Sequence, residues 1–282
     1  MLPTIKIGQT DVTRLIIGGN PFSGNSHVSA ALDNEMMDYF TTETIKKTIC
    51  DCLAHGVDTM QLRADRHIMR MVRELYLEGH KLNWIAQTAS EIAPFETNVR
   101  NASVYKPAGV YLHGTLTDRL FKAKKYDEIE TKLKIIRESG AAVGLGTHMP
   151  EVVEYAEERG LDLDFYMACV YNLSKEDRVS SAITGRANEG ERYDDADKVK
   201  MYKTIRAAGK PCLAFKILAA SRKCQSHDTI EAAFREAYAN IKPIDGVVVG
   251  MFPKHSDQVR QNCDIVKKIL NNNLVDSDDI HL

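Results

Sequence analysis

Apolar and polar positions along the chain fall into a repeating rhythm. A short, mostly apolar run is followed by a turn and then by a longer stretch in which apolar positions recur every three or four residues. Short apolar runs between breakers read as strands covered on both faces, and the longer pattern reads as amphipathic helix. Runs at 4–7 and 12–18 flank Gly8-Gln9-Thr10-Asp11. They predict a small hairpin that plugs the start of the fold and leads into a first core strand at Arg14-Leu15-Ile16-Ile17-Gly18-Gly19-Asn20. Residues 19–40, rich in glycine, asparagine and serine, read as a long connection and hence as a candidate functional loop.

From Thr42 the rhythm is regular. A helix to His55 precedes a strand at Val57–Leu62, and a helix at 67–78 precedes a strand at Asn83–Thr88. A weaker helix at 95–104 leads to Gly109-Val110-Tyr111-Leu112, a strand that delivers His113 and is closed by Gly114. One long helix is expected over Thr117–Ser139, capped by Gly140, and then a strand at Ala142–His148 and a helix from Pro150 to Gly160. A strand at Leu163–Val170 is followed by a second long loop, 171–195, carrying Gly185 and Gly190. The rest reads as a helix at Asp197–Ala208, a strand at Pro211–Lys216, a helix at 228–240, a strand at Gly246–Gly250 and a helix at His255–Leu270.

Eight strand-then-helix units with no linker between them predict one closed (β/α)8 TIM barrel over residues 1–270, followed by a polar tail at 271–282. An open doubly wound sheet is the alternative, and no G-x-G-x-x-G follows the first strand to support it. Composition agrees with a single globular core, at 44% hydrophobic and 27% charged residues. The net charge of -2, with basic residues interleaved among acids, lacks the electrostatic footprint of a nucleic-acid binder. No window approaches the roughly 18 apolar residues of a membrane span, and the N-terminus has no leader pattern, so a cytoplasmic protein with no membrane partner is expected. Six scattered cysteines read as reduced thiols, and Cys50 and Cys52 have a poor spacing for metal or redox work.

Barrel active sites lie at the C-terminal mouth of the strands, which turns strand ends into a candidate list. The list holds Asn20, Gln61, Arg63, Gln87, Glu91, His113, His148, Tyr171, Asn172, Lys216 and Gly250, with the two long loops as lids. His113 and His148 end consecutive strands, about 5 Å apart in such a sheet, so two imidazoles can share a ligand. Lys216 directly follows the apolar run Cys212–Phe215. It either snorkels to the rim or is desolvated in the mouth, where a lowered pKa suits proton transfer or imine formation. His27 and His67 leave a metal site with His113 or His148 geometrically open, but no H-x-H, H-E-x-x-H or clustered carboxylate motif is present. Lys254, with Ser221 and Arg222, would suit a phosphate beside the helix that opens at Ser256-Asp257. The alternative is a simple N-cap beside a solvated lysine, with Asp257 repelling anions.

Several of these stretches together carry a family likeness. Ile5–Asn20, Gly56-Val57-Asp58-Thr59, Val110-Tyr111-Leu112-His113, Val143-Gly144-Leu145-Gly146, Tyr171-Asn172-Leu173 and Val249-Gly250 with Ser256–Asn262 resemble the aldo-keto reductase superfamily over nearly the whole chain. The resemblance implies a barrel in which an aspartate, tyrosine, lysine and histidine tetrad reduces carbonyls with NADPH. His113 stands at the histidine position. Gln61 stands for the aspartate, Asp65-Arg66 falls near the tyrosine, and Gln87 or Thr88 stands for the lysine. Thr147 and His148 replace a serine and asparagine at the nicotinamide, and Ala168 replaces a glutamine. Phe215 matches the stacking aromatic, Lys216 a serine, and Gln258 the adenosine-phosphate arginine.

Three readings follow for a small-molecule protein whose self-association is left open. One is a divergent oxidoreductase on a small carbonyl or hydroxy compound, with NADP held near Phe215, Gly250, Lys254, Ser221 and Arg222. Another is a lyase or isomerase using Lys216, His113 and His148, with a metal-assisted variant. The last is a non-catalytic binding barrel.

Overall fold

The computed structural model describes residues 2–175 and 191–278, the last seven of these by their backbone alone. Strands β1 (Thr4–Ile7) and β2 (Thr10–Thr13) form an antiparallel hairpin in which Ile5 faces Val12. Eight parallel strands follow: β3 (Leu15–Gly18), β4 (Thr59–Arg63), β5 (Asn83–Gln87), β6 (Gly109–Leu112), β7 (Val143–Thr147), β8 (Phe165–Cys169), β9 (Cys212–Phe215) and β10 (Gly246–Gly250). They close in chain order, with β10 pairing β3, so every strand has two neighbours and no edge remains.

Successive strand residues point to opposite faces, and the two faces bury against different partners. Leu15, Ile17, Met60, Leu62, Trp84, Ala86, Val110 and Leu112 pack outward with the helices. Ile16, Ile85, Tyr111, Phe165, Met167, Leu213 and Val248 fill the inside together with Ile5, Ile7 and Val12 of the hairpin. The hairpin is thus the expected plug. Gly144 shows how full the interior is, because a Cβ there would lie 2.4 Å from the Phe165 ring.

The helices are α1 (Ala30–Tyr39), α2 (Thr42–Ala54), α3 (Arg66–Leu77), α4 (Phe95–Ser103), α5 (Gly114–Lys122), α6 (Tyr126–Glu138), α7 (Pro150–Arg159), α8 (Asp195–Ala207), α9 (His227–Asn240) and α10 (Gln258–Asp278). Three boundaries differ from the sequence expectation. The first long connection contains α1, capped by the Ser29 side chain on Leu32 N–H, and its Tyr39 stacks edge-on against Phe40 and Phe252. Both glycines of the segment, Gly19 and Gly24, precede Ser29, and the chain is helical from Ala30 to Tyr39. The long helix expected over Thr117–Ser139 is two helices. Lys124 takes a left-handed φ of 57°, and the N–H groups of Lys124 and Lys125 close α5 on the carbonyls of Phe121 and Leu120. Helical periodicity persists on both sides of this break, which hides it in the sequence. The last helix starts at Gln258 and continues to Asp278, past the expected end at Leu270. Of the second long loop, residues 176–190, including Gly185 and Gly190, lie outside the described residues. Among the described residues, no helix is long and apolar enough to cross a membrane.

Candidate active site

Inward-facing positions turn from apolar to polar toward the C-terminal mouth. Gln61 on β4 donates from Nε2 to the Tyr111 hydroxyl at 2.8 Å and to Gln87 Oε1 at 3.2 Å, and the Tyr111 hydroxyl donates to Gln87 Oε1 at 2.8 Å. Burial pushes the Tyr111 phenol far above its usual range, outweighing the opposing pull of the Arg63 charge and the Gln61 hydrogen bond. The Gln61–Gln87–Tyr111 triangle is therefore a neutral floor beneath the mouth.

Above it stand two histidines on adjacent strands. His113 leaves β6 at the N-terminus of α5, with its backbone N–H held by Thr88 Oγ1 at 3.1 Å, and its imidazole makes no hydrogen bond among the described residues. Burial first, then the Arg63 charge and that of His148 when it is protonated, push its pKa down to about 4, so it is neutral at pH 7.

His148 leaves β7 beside Asp118, a buried carboxylate on α5. Asp118 Oδ2 lies 2.8 Å from His148 Nδ1 and accepts the Ser174 hydroxyl as well, while Oδ1 accepts the Thr147 hydroxyl. The His148 backbone N–H also points at Asp118 Oδ2, at 3.2 Å. A carboxylate ringed by donors accepts only, so a proton of His148 sits on Nδ1, and Nε2 is the ring nitrogen turned away from Asp118. The His148 ring meets Phe215 edge-on at 5.7 Å between centroids. It also lines a cleft of about 250 Å3 between the β7–α7 and β8–α8 units.

Lys216 is the centre of a second buried cluster. It leaves β9 with a left-handed φ of 64°, and its side chain is 10% exposed. Its Nζ donates to the Tyr193 hydroxyl at 3.2 Å and lies 3.5 Å from His27 Nδ1 and 4.0 Å from Glu191 Oε2. His27 Nδ1 meets Glu191 Oε1 at 2.9 Å, and the Tyr193 hydroxyl donates to Glu191 Oε2 at 2.7 Å. Burial lowers the Lys216 pKa against the opposing pull of Cys169 and Glu191. Burial also works to raise Glu191, but the His27 hydrogen bond and the Lys216 charge outweigh it and hold this carboxyl at about 2. A protonated His148 would depress both His113 and His27, so each of the two lies within reach of its charge.

The residues expected to hold a dinucleotide are otherwise engaged. Arg222 donates to the carbonyls of His27, Ala219 and Ala220 at 3.0, 3.3 and 3.4 Å, and its guanidinium stacks 4.4 Å from the Tyr193 ring centre. Ser221 lies in a left-handed run with Ala219 and Ala220. Lys254 pairs with Glu35 at 2.9 Å, and Asp257 Oδ1 accepts the Arg260 N–H at 3.0 Å, which puts a carboxylate where an anion would dock on α10. Pro21 closes over Gly250, where a Cβ would meet Pro21 Cδ at 2.7 Å. This donor set does not fit a nucleotide phosphate. His67 is exposed on α3, and among the described residues no group of three or more His, Cys, Asp or Glu side chains is arranged to hold a metal.

No protein-family model and no curated protein sequence matches the chain. Several solved structures share its architecture. A truncated 3-deoxy-D-arabino-heptulosonate 7-phosphate synthase from Thermotoga maritima superposes with a TM-score of 0.57 at 13% identity, over 98% of this chain and 93% of that one. An aldo-keto reductase from Bacillus halodurans in its holo form gives 0.59 at 10% identity, over 95% and 91%. Dihydropteroate synthase from Thermus thermophilus gives 0.56 at 12% identity, over 95% and 99%. The fold is a TIM barrel. At these identities the likeness is one of architecture, and it reaches a reductase and two synthases alike.

The sequence singled out His113, His148, Lys216 and Gln61, and the structure places the two histidines after the adjacent strands β6 and β7. Sequence reasoning missed Asp118, Ser174, Glu191 and Tyr193. Asp118 sits one turn into a helix where acids are commonplace, and Glu191 and Tyr193 end a polar stretch with no periodicity. Tyr171, expected at the mouth, donates to Asp195 Oδ1 at 3.0 Å instead.

Proposed function

We propose that this TIM barrel is a lyase or isomerase that moves a proton on a small hydroxy-carbonyl compound at the mouth of the strands. The observation that carries the reading is the His148–Asp118 pair, 2.8 Å apart, beside a neutral His113. Asp118 fixes the His148 tautomer, and the free Nε2 takes a proton from the carbon or hydroxyl next to the substrate carbonyl. His113, neutral at pH 7, donates its single N–H to the carbonyl oxygen as negative charge builds there. Lys216, balanced by Glu191, supplies positive charge at the mouth.

A reductase of the kind the family resemblance implies needs a phenol of lowered pKa. Tyr111 sits instead on two neutral amides and its pKa moves upward, which supports proton transfer over hydride chemistry. The test is solvent exchange: small hydroxy-ketones and hydroxy-aldehydes are incubated with the protein in D2O, and deuterium at the carbon next to the carbonyl is read by NMR. The parent chain is expected to label at least one compound, and His148→Gln to slow labelling by about 10^2–10^4-fold with an unchanged melting temperature. Equal labelling by parent and variant, or none across the series, contradicts the proposal.

A further inference from the structure

Proton transfer at His148 asks of Lys216 only a positive charge, and the surroundings of this side chain fit an ammonium poorly. An ammonium carries three N–H donors. Nζ has one acceptor, the Tyr193 hydroxyl at 3.2 Å, which can receive because its own proton goes to Glu191 Oε2. His27 Nδ1, at 3.5 Å, is no acceptor. It donates to Glu191 Oε1, and Nε2 faces the Asn20 amide nitrogen at 3.1 Å, so the lone pair of the ring is on Nε2. Glu191 Oε2 stands 4.0 Å from Nζ, close enough for charge and too far for a hydrogen bond. Two N–H groups of a side chain that is 10% exposed thus have no acceptor among the described residues, which is costly.

The same surroundings match a different group. A protonated imine carries one N–H and one positive charge, and Tyr193 and Glu191 accommodate those two features. Cys169, whose thiol burial pushes up to about 12, is neutral, and Arg222 adds a like charge, so Glu191 is the counter-charge for whichever cation stands there. Burial lowers the Lys216 pKa, which raises the fraction present as free amine. Lys216 holds a left-handed φ of 64° just after β9, a backbone conformation of the kind that collects at functional sites. Phe215 before it meets the His148 ring edge-on, and His27 lies within reach of the charges of both Lys216 and His148, so amine and imidazole share one mouth.

We propose that Lys216 forms an imine with the carbonyl carbon of a small aldehyde, ketone or keto acid. Nζ loses one proton to solvent, and its lone pair forms the C–N bond. The carbonyl oxygen takes one hydrogen from the nitrogen and one proton from solvent and leaves as water. One N–H and the positive charge remain, held by Tyr193 and Glu191. The site keeps its charge through the step, and the protonated imine replaces the carbonyl as the group that draws electrons when His148 removes a proton from the neighbouring carbon. This goes beyond the proton-transfer reading, which needs no covalent bond.

Reductive trapping tests it. The full-length chain is incubated at pH 7 with glycolaldehyde, dihydroxyacetone or pyruvate and reduced with sodium borohydride, which converts an imine to a secondary amine. The protein is then digested for mass spectrometry. At least one probe is expected to label Lys216 about tenfold or more above any other lysine. Lys216→Arg, checked for folding by thermal denaturation, is expected to give no adduct above that of the other lysines. Tyr193→Phe, which removes the acceptor, is expected to slow trapping about tenfold. The peptide map of the parent chain decides the site even where a variant fails to fold. His148→Gln is expected to trap as the parent does while failing in the D2O exchange assay. No adduct from any probe, adducts spread evenly over the lysines, or undiminished trapping in Tyr193→Phe overturns the proposal. Exchange by the parent chain without trapping overturns it and leaves the proton-transfer reading intact. Trapping at Lys216 without exchange supports it and contradicts that reading.

Discussion

Asp118 Oδ2 stands 2.8 Å from His148 Nδ1, and this contact joins α5, which follows β6, to the end of β7. The strand that delivers His113 thus also delivers, one helical turn later, the carboxylate that orients the neighbouring histidine. Replacing Asp118 by Asn presents an N–H2 group where the Ser174 and Thr147 hydroxyls and the His148 N–H all donate. Asp118→Asn is expected to lower any proton-exchange activity by about 10^2-fold or more and to cost about 1–3 kcal/mol of stability, read by urea denaturation.

The depressed pKa of His113 makes stability depend on acid. The unfolded chain takes up this proton near pH 6.5 and the folded chain only at about 4, so between those values the unfolded state binds more protons and stability falls as pH falls. The difference, 6.5 minus about 4, corresponds to on the order of 3 kcal/mol, all of it retained above pH 6.5. His27, lowered chiefly by burial, adds the same sign. His113→Gln is expected to flatten the slope of unfolding free energy between pH 7 and 4.5 relative to the parent. An unchanged slope would show that His113 titrates normally.

Glu191 has a side chain 1% exposed and faces Lys216 at 4.0 Å. Its carboxyl, held at about 2, stays ionised above that pH, and its contribution is lost only as pH falls from its unfolded value toward 2. Glu191→Gln leaves a buried ammonium without its counter-charge and is expected to cost about 3–5 kcal/mol, whereas Glu191→Gln with Lys216→Met should lose much less. Thermal denaturation of the two single variants and the double variant measures the coupling.

The hairpin plug is testable by packing alone. Ile7 is fully buried among the inward strand residues, so Ile7→Ala is expected to cost about 2–5 kcal/mol with no effect on ligand binding at the opposite end of the barrel. A loss below about 1 kcal/mol would mean that the hairpin does not close the core.

The barrel was legible because two periodicities alternate along the chain, and an eightfold strand-helix rhythm leaves few architectures to choose among. The break between α5 and α6 was not, since Lys124 enters the left-handed region while the apolar spacing continues on either side. At the site, strand-end geometry pointed to His113, His148 and Lys216 because their positions follow from the fold. Their partners escaped notice because Asp118, Glu191 and Tyr193 are ordinary polar residues until folding carries them, over 30 residues between Asp118 and His148 and 164 between His27 and Glu191, to the mouth. The phosphate cradle expected around Lys254, Ser221 and Arg222 rested on composition, and composition does not reveal that Glu35 and a set of backbone carbonyls take up the two charges.

The central claim is the protonation pattern of two adjacent imidazoles. Nitrogen-15 NMR of the histidine rings across pH 4 to 8 reads it directly. His148 is expected to carry a downfield Nδ1 proton shared with Asp118, and His113 to remain neutral until about pH 4. His113 titrating near pH 6.5, or His148 carrying its proton on Nε2 with Nδ1 bare, would contradict it.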